Sequence, residues 1–190
     1  GTTLLAITIS CLGAYGIVRF MPRLGNAITR VLITTYMFPA ILLAVPYSII
    51  MGKLGLVNNR IGLIIVYMTF SVPYAVWLLV GFFKTVPLEI EEAARVDGAS
   101  YLKIFTNIIL PQIKGGLITL ALLCFIDNWN VVEQPLIYFD NEGMYPLSVT
   151  LTDVGSSDYG IIFACGVIFM IPALLIYLYG HRDIDSPFVQ

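Results

Sequence analysis

Charge is missing from long stretches of this chain. Gly1–Val18, Val31–Gly52, Ile61–Phe83 and Tyr159–Gly180 contain no Asp, Glu, Lys or Arg, and Gly115–Val132 contains one, Asp127. A bilayer core takes about 20 apolar residues to cross as a helix, so each run predicts a membrane span. Spanning β-strands would show alternating segments of about ten residues instead, and none occurs. The pattern predicts an all-α fold, a polytopic membrane helical bundle with five spans visible. Pro39, Pro46, Pro73 and Pro172 fall inside the predicted helices, where proline removes a backbone hydrogen bond and bends the axis. Such bends either shape the bundle or serve as hinges. Gly13, Ala14, Gly16, Ala164 and Gly166 are small enough for close helix approach.

Composition agrees with the pattern. Charged residues make up 12% of the chain, against about 25% in soluble domains. Cys11, Cys124 and Cys165 each lie within an apolar run with no close spacing, which favours small buried hydrophobes over redox or metal chemistry. With one histidine, His181, no metal cluster of the usual nitrogen and sulfur type can be assembled, and no cofactor is expected. A net charge of −2 without a basic tract argues against nucleic acid as a partner.

The basic residues orient the spans, because short cytoplasmic loops are enriched in Lys and Arg. Arg19, Arg23, Arg30, Lys84, Arg95, Lys103, Lys114 and Arg182 fall on one side, eight of the ten positives, leaving Lys53 and Arg60 on the other. The first side is expected to be cytoplasmic. The longer loop opposite carries Asp140, Glu142, Asp153 and Asp158 without a positive. Within it Leu147–Val154 reads as a short amphipathic surface piece, either a plain loop or a contact for an external partner. Five spans with a cytoplasmic C-terminus place the N-terminus outside, so the intact subunit is expected to have a further N-terminal helix.

One cytoplasmic loop, Lys84–Lys114, is built like two short helices. Thr85 is expected to cap the first and Pro87 to fall in its first turn, with Glu89, Glu91 and Glu92 near the positive end of its dipole. Gly98 suits a left-handed stop. Ser100 is expected to cap a second helix, "YLKIFTNIIL", which Pro111 ends. Ile90, Ala93, Ala94 and Asp97 share one side of the first helix. A thin alanine face fits a groove on another protein; equally, it fits a solvated helix.

The spacing Glu92-Ala93-Ala94, three residues, Gly98, nine residues, Ile108-Ile109-Leu110-Pro111 resembles the EAA signature of the membrane subunits of binding-protein-dependent ABC importers, and it matches at every fixed position. The stretches "KLGLVNNRIGLIIVY" and "VPYAVWLLVGFFKTVPLEIEEAARVDGAS", with the Trp129-Asn130 pair, look most like carbohydrate-uptake permeases of the maltose-permease type. The resemblance runs from the first span through Tyr179 and implies a type I importer permease fold of six spans. It implies a single transmembrane domain over residues 1–180, with a coupling loop at 84–114 and a cytoplasmic tail at 181–190. It further implies that Glu92, Ala93, Ala94, Asp97 and Gly98 dock on a cytoplasmic ATPase subunit. The other partners the resemblance implies are a second permease subunit of a different chain, an extracytoplasmic solute-binding protein and membrane lipid. ATP hydrolysis belongs to the ATPase, and this chain has no G-x-x-x-x-G-K-[ST] phosphate loop.

Asp127, Asn128, Trp129 and Asn130, with Glu133 beyond, form a polar cluster in the fourth run. At 1.5 Å per residue from Lys114, Asp127 lies about 20 Å into a core of about 30 Å. A charge at that depth costs at least ~2.5 kcal/mol and faces the bundle interior or a water-filled cavity. The cluster serves either interhelical hydrogen bonding or a sugar path, with Trp129 as a stacking surface. The solute alternatives are a polyol phosphate, an amino acid, a peptide or an anion moved by the same machinery. A secondary transporter would need no docking loop.

Overall fold

The uncharged runs fold as helices because lipid offers no partner for an open backbone donor or acceptor. In the computed structural model, which describes residues 1–152 and 159–185, there is no strand among the described residues. Asp153, Val154 and Asp158 of the acidic loop and residues 186–190 of the tail lie outside them. Three unbroken helices are long and apolar enough to cross a membrane: α1 (Thr2–Phe20), α4 (Arg60–Thr85) and, within α11 (Tyr159–Asp185), the stretch Gly160–Leu178. The tail expected from residue 181 therefore begins as a continuation of α11.

The second run does not form one straight span. It divides into α2 (Gly25–Tyr36) and α3 (Ala40–Lys53), whose axes are bent by 93°. Pro39 causes the break rather than a kink within a helix. It has no N–H to give, its ψ is 121°, and it disfavours helical backbone at the preceding residue. Pro46, Pro73 and Pro172 do lie inside helices, in α3, α4 and α11. A second bend, of 77°, separates Tyr101–Gln112 from α8 (Lys114–Asn130). Counting each bent pair as one span raises the total from three to five.

The core lies between α1 and α4. Cys11, Ala14 and Tyr15 pack against Ala75, Val76, Leu79, Val80 and Phe83, and α8 adds Leu120 and Cys124. Ala14 is fully buried, and a β-carbon on Gly13 would sit 3.7 Å from Val76, as expected of small residues at a helix crossing. Gly16 and Gly166, in contrast, have nothing within 4 Å of an added β-carbon. At the other end of α4, Met51, Leu63, Val66 and Tyr67 enclose Tyr138 and Phe139. Tyr138 belongs to α9 (Glu133–Tyr138). There Asn58 uses both ends of its amide on Asp140: Nδ2 donates to the carboxylate at 2.9 Å, and Oδ1 accepts from the backbone N–H at 2.6 Å. The expected amphipathic piece is the helix α10 (Leu147–Thr152). Its Ser148 is buried and donates to the carbonyl of Val131 at 2.7 Å.

The approach of α8 to α4 depends on Gly116, where a β-carbon would meet the Phe82 ring at 2.5 Å. Gly116→Ala is expected to lower stability by about 1–3 kcal/mol through overpacking, read as a fall in the thermal unfolding midpoint in detergent. Gly16→Ala, in open space, should leave the midpoint unchanged or raise it slightly, since alanine favours helix.

A capped helix at one end and a polar cleft among the spans

The chain leaves α4 at Val86 and Pro87 and enters α5 (Leu88–Val96). Thr85 does not cap α5. It is the last residue of α4, and its hydroxyl donates back to the carbonyl of Phe82 at 2.7 Å. The end of α5 is as the glycine suggests. Gly98 has φ +82°, its N–H bonds the carbonyl of Arg95 at 3.0 Å, and the N–H of Ala99 bonds that of Ala94 at 3.0 Å. These two bonds make a Schellman turn, which satisfies carbonyls the helix leaves open. Ser100 then caps α6 (Tyr101–Ile104), accepting from the N–H of Lys103 at 3.4 Å.

Pro111 does not end the second helix. After α6 the backbone widens into a π-helical stretch, Phe105–Ile109, and continues as α7 (Leu110–Gln112); the break comes at Ile113. Proline offers no donor to the carbonyl four residues back, and the widened turn passes the N–H of Leu110 to the carbonyl of Phe105.

The five residues expected to couple are not all on one surface. Glu92, Ala93, Asp97 and Gly98 are exposed, while Ala94 turns inward against the main core. Around the exposed four lie apolar side chains that the alanine pattern did not mark: Val96, 88% exposed, Leu102, 72%, and Tyr101, 57%. The Arg95 guanidinium sits over the Tyr101 ring at 5.8 Å. Glu91 behaves quite differently from its neighbours. It is the one buried residue of α5, accepting from the Tyr15 hydroxyl at 2.9 Å and pairing with Arg19. A glutamate among glutamates gave no sequence signal for this.

The mid-span polar cluster also separates. Asp127 and Asn128 line a cleft of about 260 Å³ with Tyr36, Tyr67, Tyr74 and Ser71. Tyr36 and Tyr74 stack at 5.1 Å, and Trp77 continues the row at 6.3 Å from Tyr74. Asn128 spends its amide on Ser71 at 3.3 Å and on the carbonyl of Cys124 at 2.6 Å, so it ties α8 to α4 as well as facing the cleft. Trp129 points elsewhere. It is sandwiched between Phe125 and Phe169, each at 5.3 Å, and its indole N–H donates to the carbonyl of Phe169 at 3.1 Å. It pins α8 to α11. Asn130 bonds back to the carbonyl of Ile126 at 2.8 Å and does not line the cleft.

A bundle of broken and unbroken spans, with a short capped helix held against its end, is the form of a membrane transport subunit. The chain belongs to the family described as binding-protein-dependent transport system inner membrane component, which matches residues 6–186. It is 34% identical to the inner membrane ABC transporter permease protein YcjP of Escherichia coli over 97% of this chain. It is 30% identical to the diacetylchitobiose uptake system permease protein NgcG of Streptomyces coelicolor over 98%. To the trehalose transport system permease protein SugB of Mycobacterium tuberculosis it is 33% identical over 96%. The chain spans 67%, 64% and 69% of the lengths of those three proteins. In fold it is similar to a solved inward-facing structure of the MetNI methionine ABC transporter, with TM-score 0.63 and 17% identity, covering 97% of this chain and 92% of the other.

Trp129 is half-buried, so Trp129→Ala should cost less than the full penalty of a buried large-to-small change, about 2–3 kcal/mol. Trp129→Phe keeps the stacking and loses one hydrogen bond, about 0.5–1.5 kcal/mol. Thermal unfolding of the purified protein reads both; a fully stable Trp129→Ala would contradict the pin.

Proposed function

We propose that this chain is a permease subunit of an ATP-driven carbohydrate importer, lining part of the solute path and docking on a cytoplasmic ATPase. The ATPase hydrolyses ATP; this chain does not. Its other partners are a second permease subunit and an extracytoplasmic binding protein, and its place is the plasma membrane of a bacterium or archaeon with the C-terminus cytoplasmic. Residues 1–180 form its single transmembrane domain, 84–114 its coupling loop and 181–190 its tail. The observation that carries this is the exposed face of α5, where Glu92, Ala93, Asp97 and Gly98 stand in the EAA spacing beside uncovered Val96 and Leu102. Alanine lets a partner's backbone approach, and the Schellman turn holds the face in one conformation.

The cleft supports carbohydrate over the charged alternatives. Its rings offer stacking faces, and Ser71, Asn128 and Gln134 offer hydrogen bonds to hydroxyls. Its one ionisable acid, Asp127, has no Lys, Arg or His beside it among the lining residues, so an anionic solute would meet like charge without compensation. Two relatives named for trehalose and diacetylchitobiose support the same class. Of the four path residues proposed from the sequence, Asp127 and Asn128 keep that role, Trp129 is assigned to joining α8 to α11, and Asn130 to bonding its own helix.

Ala93→Arg is expected to weaken ATPase binding about tenfold or more, at least ~1.4 kcal/mol, read by co-purification; unchanged binding and transport would defeat the docking assignment. In proteoliposomes of the assembled transporter, neutral oligosaccharides should be taken up and phosphorylated sugars excluded. Asp127→Asn should lower neutral sugar uptake by about 10- to 100-fold, the worth of a hydrogen bond to a charged group at about 1.5–3 kcal/mol. Uptake of a phosphorylated sugar by the unaltered protein would reverse the charge argument.

A further inference from the structure

Glu91 is the sole buried side chain of α5 and, at 5% exposure, the one buried residue of the Asp, Glu, Lys, Arg and His types among the described residues. Its two carboxylate oxygens go to two residues one turn apart on α1. Oε2 accepts from the Tyr15 hydroxyl at 2.9 Å, and Oε1 pairs with Nε of Arg19. Arg19 also donates from Nη2 to the carbonyl of Val86 at 2.9 Å, where α4 ends and the chain turns into α5. Tyr15 is itself wedged among Phe20, Phe83 and Phe105. α1 and α5, more than seventy residues apart in sequence, thus meet at one carboxylate, and Arg19 ties in the turn that joins α4 to α5. A helix of nine residues has little apolar surface of its own with which to hold its place. A buried ion pair between two rigid groups resists sliding because any displacement leaves an uncompensated charge out of water.

We propose that Glu91 is a positioning residue that makes α5 and α1 move as one body, so that a displacement of α5 passes into the first span through Tyr15 and Arg19. This rests on the docking assignment above: Glu92 and Ala93 face the motor, and Glu91, facing the opposite way, carries the motion inward. Docking and transmission are therefore divided between adjacent residues of one helix.

The test uses the assembled transporter in proteoliposomes. Glu91→Gln and Tyr15→Phe should retain the ATPase subunit and ATP hydrolysis while the solute imported per ATP falls about 5-fold or more, the range of a coupling free energy. The double variant Arg19→Met/Glu91→Leu removes both charges and should recover thermal stability without recovering coupling. Recovery of coupling in the double variant would show a merely structural role and overturn the proposal. In a cysteine-free background, spin labels at Leu12→Cys and Glu89→Cys should give one narrow distance that broadens with Glu91→Gln. An unchanged distance and unchanged coupling in Glu91→Gln would also overturn it. If the labels report the clamp but no ATPase binds the unaltered chain, it is the docking assignment that fails.

Discussion

Everything else in this bundle is hung on the contact of α1 with α4. Ala14, Ala75 and Leu79 are fully buried there, and small residues on one helix admit larger ones from the other. Within lipid this contact gains little from leaving water; it is held by dispersion between closely fitted surfaces. Each further element is attached to that pair. α8 crosses α4 at Gly116, the loop of residues 84–114 lays Ile104, Phe105 and Ile109 over its end, and α11 reaches it through α8.

Elements whose environment is dictated by lipid were legible from residue type. The four uncharged runs, and the one that carries only Asp127, mark where helix is obligatory, and the glycine at residue 98 marks a left-handed stop that other residues adopt only with strain. The breaks were less legible. Proline can bend a helix or divide it, and the choice at Pro39 as against Pro46 depends on what surrounding helices can satisfy, which is a tertiary matter. The same holds at Pro111, where the ladder absorbs the missing donor by widening.

Side-chain direction was the other gap. Asp127 through Asn130 are consecutive, so helical geometry turns each by about 100° from the last, and four neighbours cannot face one cleft. Sequence analysis grouped them by polarity; the structure divides them into two that line the cleft, one that joins helices and one that bonds its own backbone. Glu91 and Glu92 separate for the same reason. Glu91 meets Arg19 and Tyr15, residues more than seventy positions away, and nothing local to either could announce the pairing.

α4 is secured at both ends by polar ties outside its apolar length. At one end Arg19 holds the carbonyl of Val86 and Lys84 bonds Asn26 at 2.9 Å; at the other, Asn59 caps the helix beside the Asn58–Asp140 tie. Its 26 residues make a rod of about 39 Å. A tilt of about 5° about one end carries the other through about 3 Å over that length, comparable to the width of a water molecule. With Pro73 midway along it, the rod also has a place to flex, at the level of the aromatic row that borders the cleft. A small rotation at one end of the helix is thus enough to alter the width of the cleft at its centre.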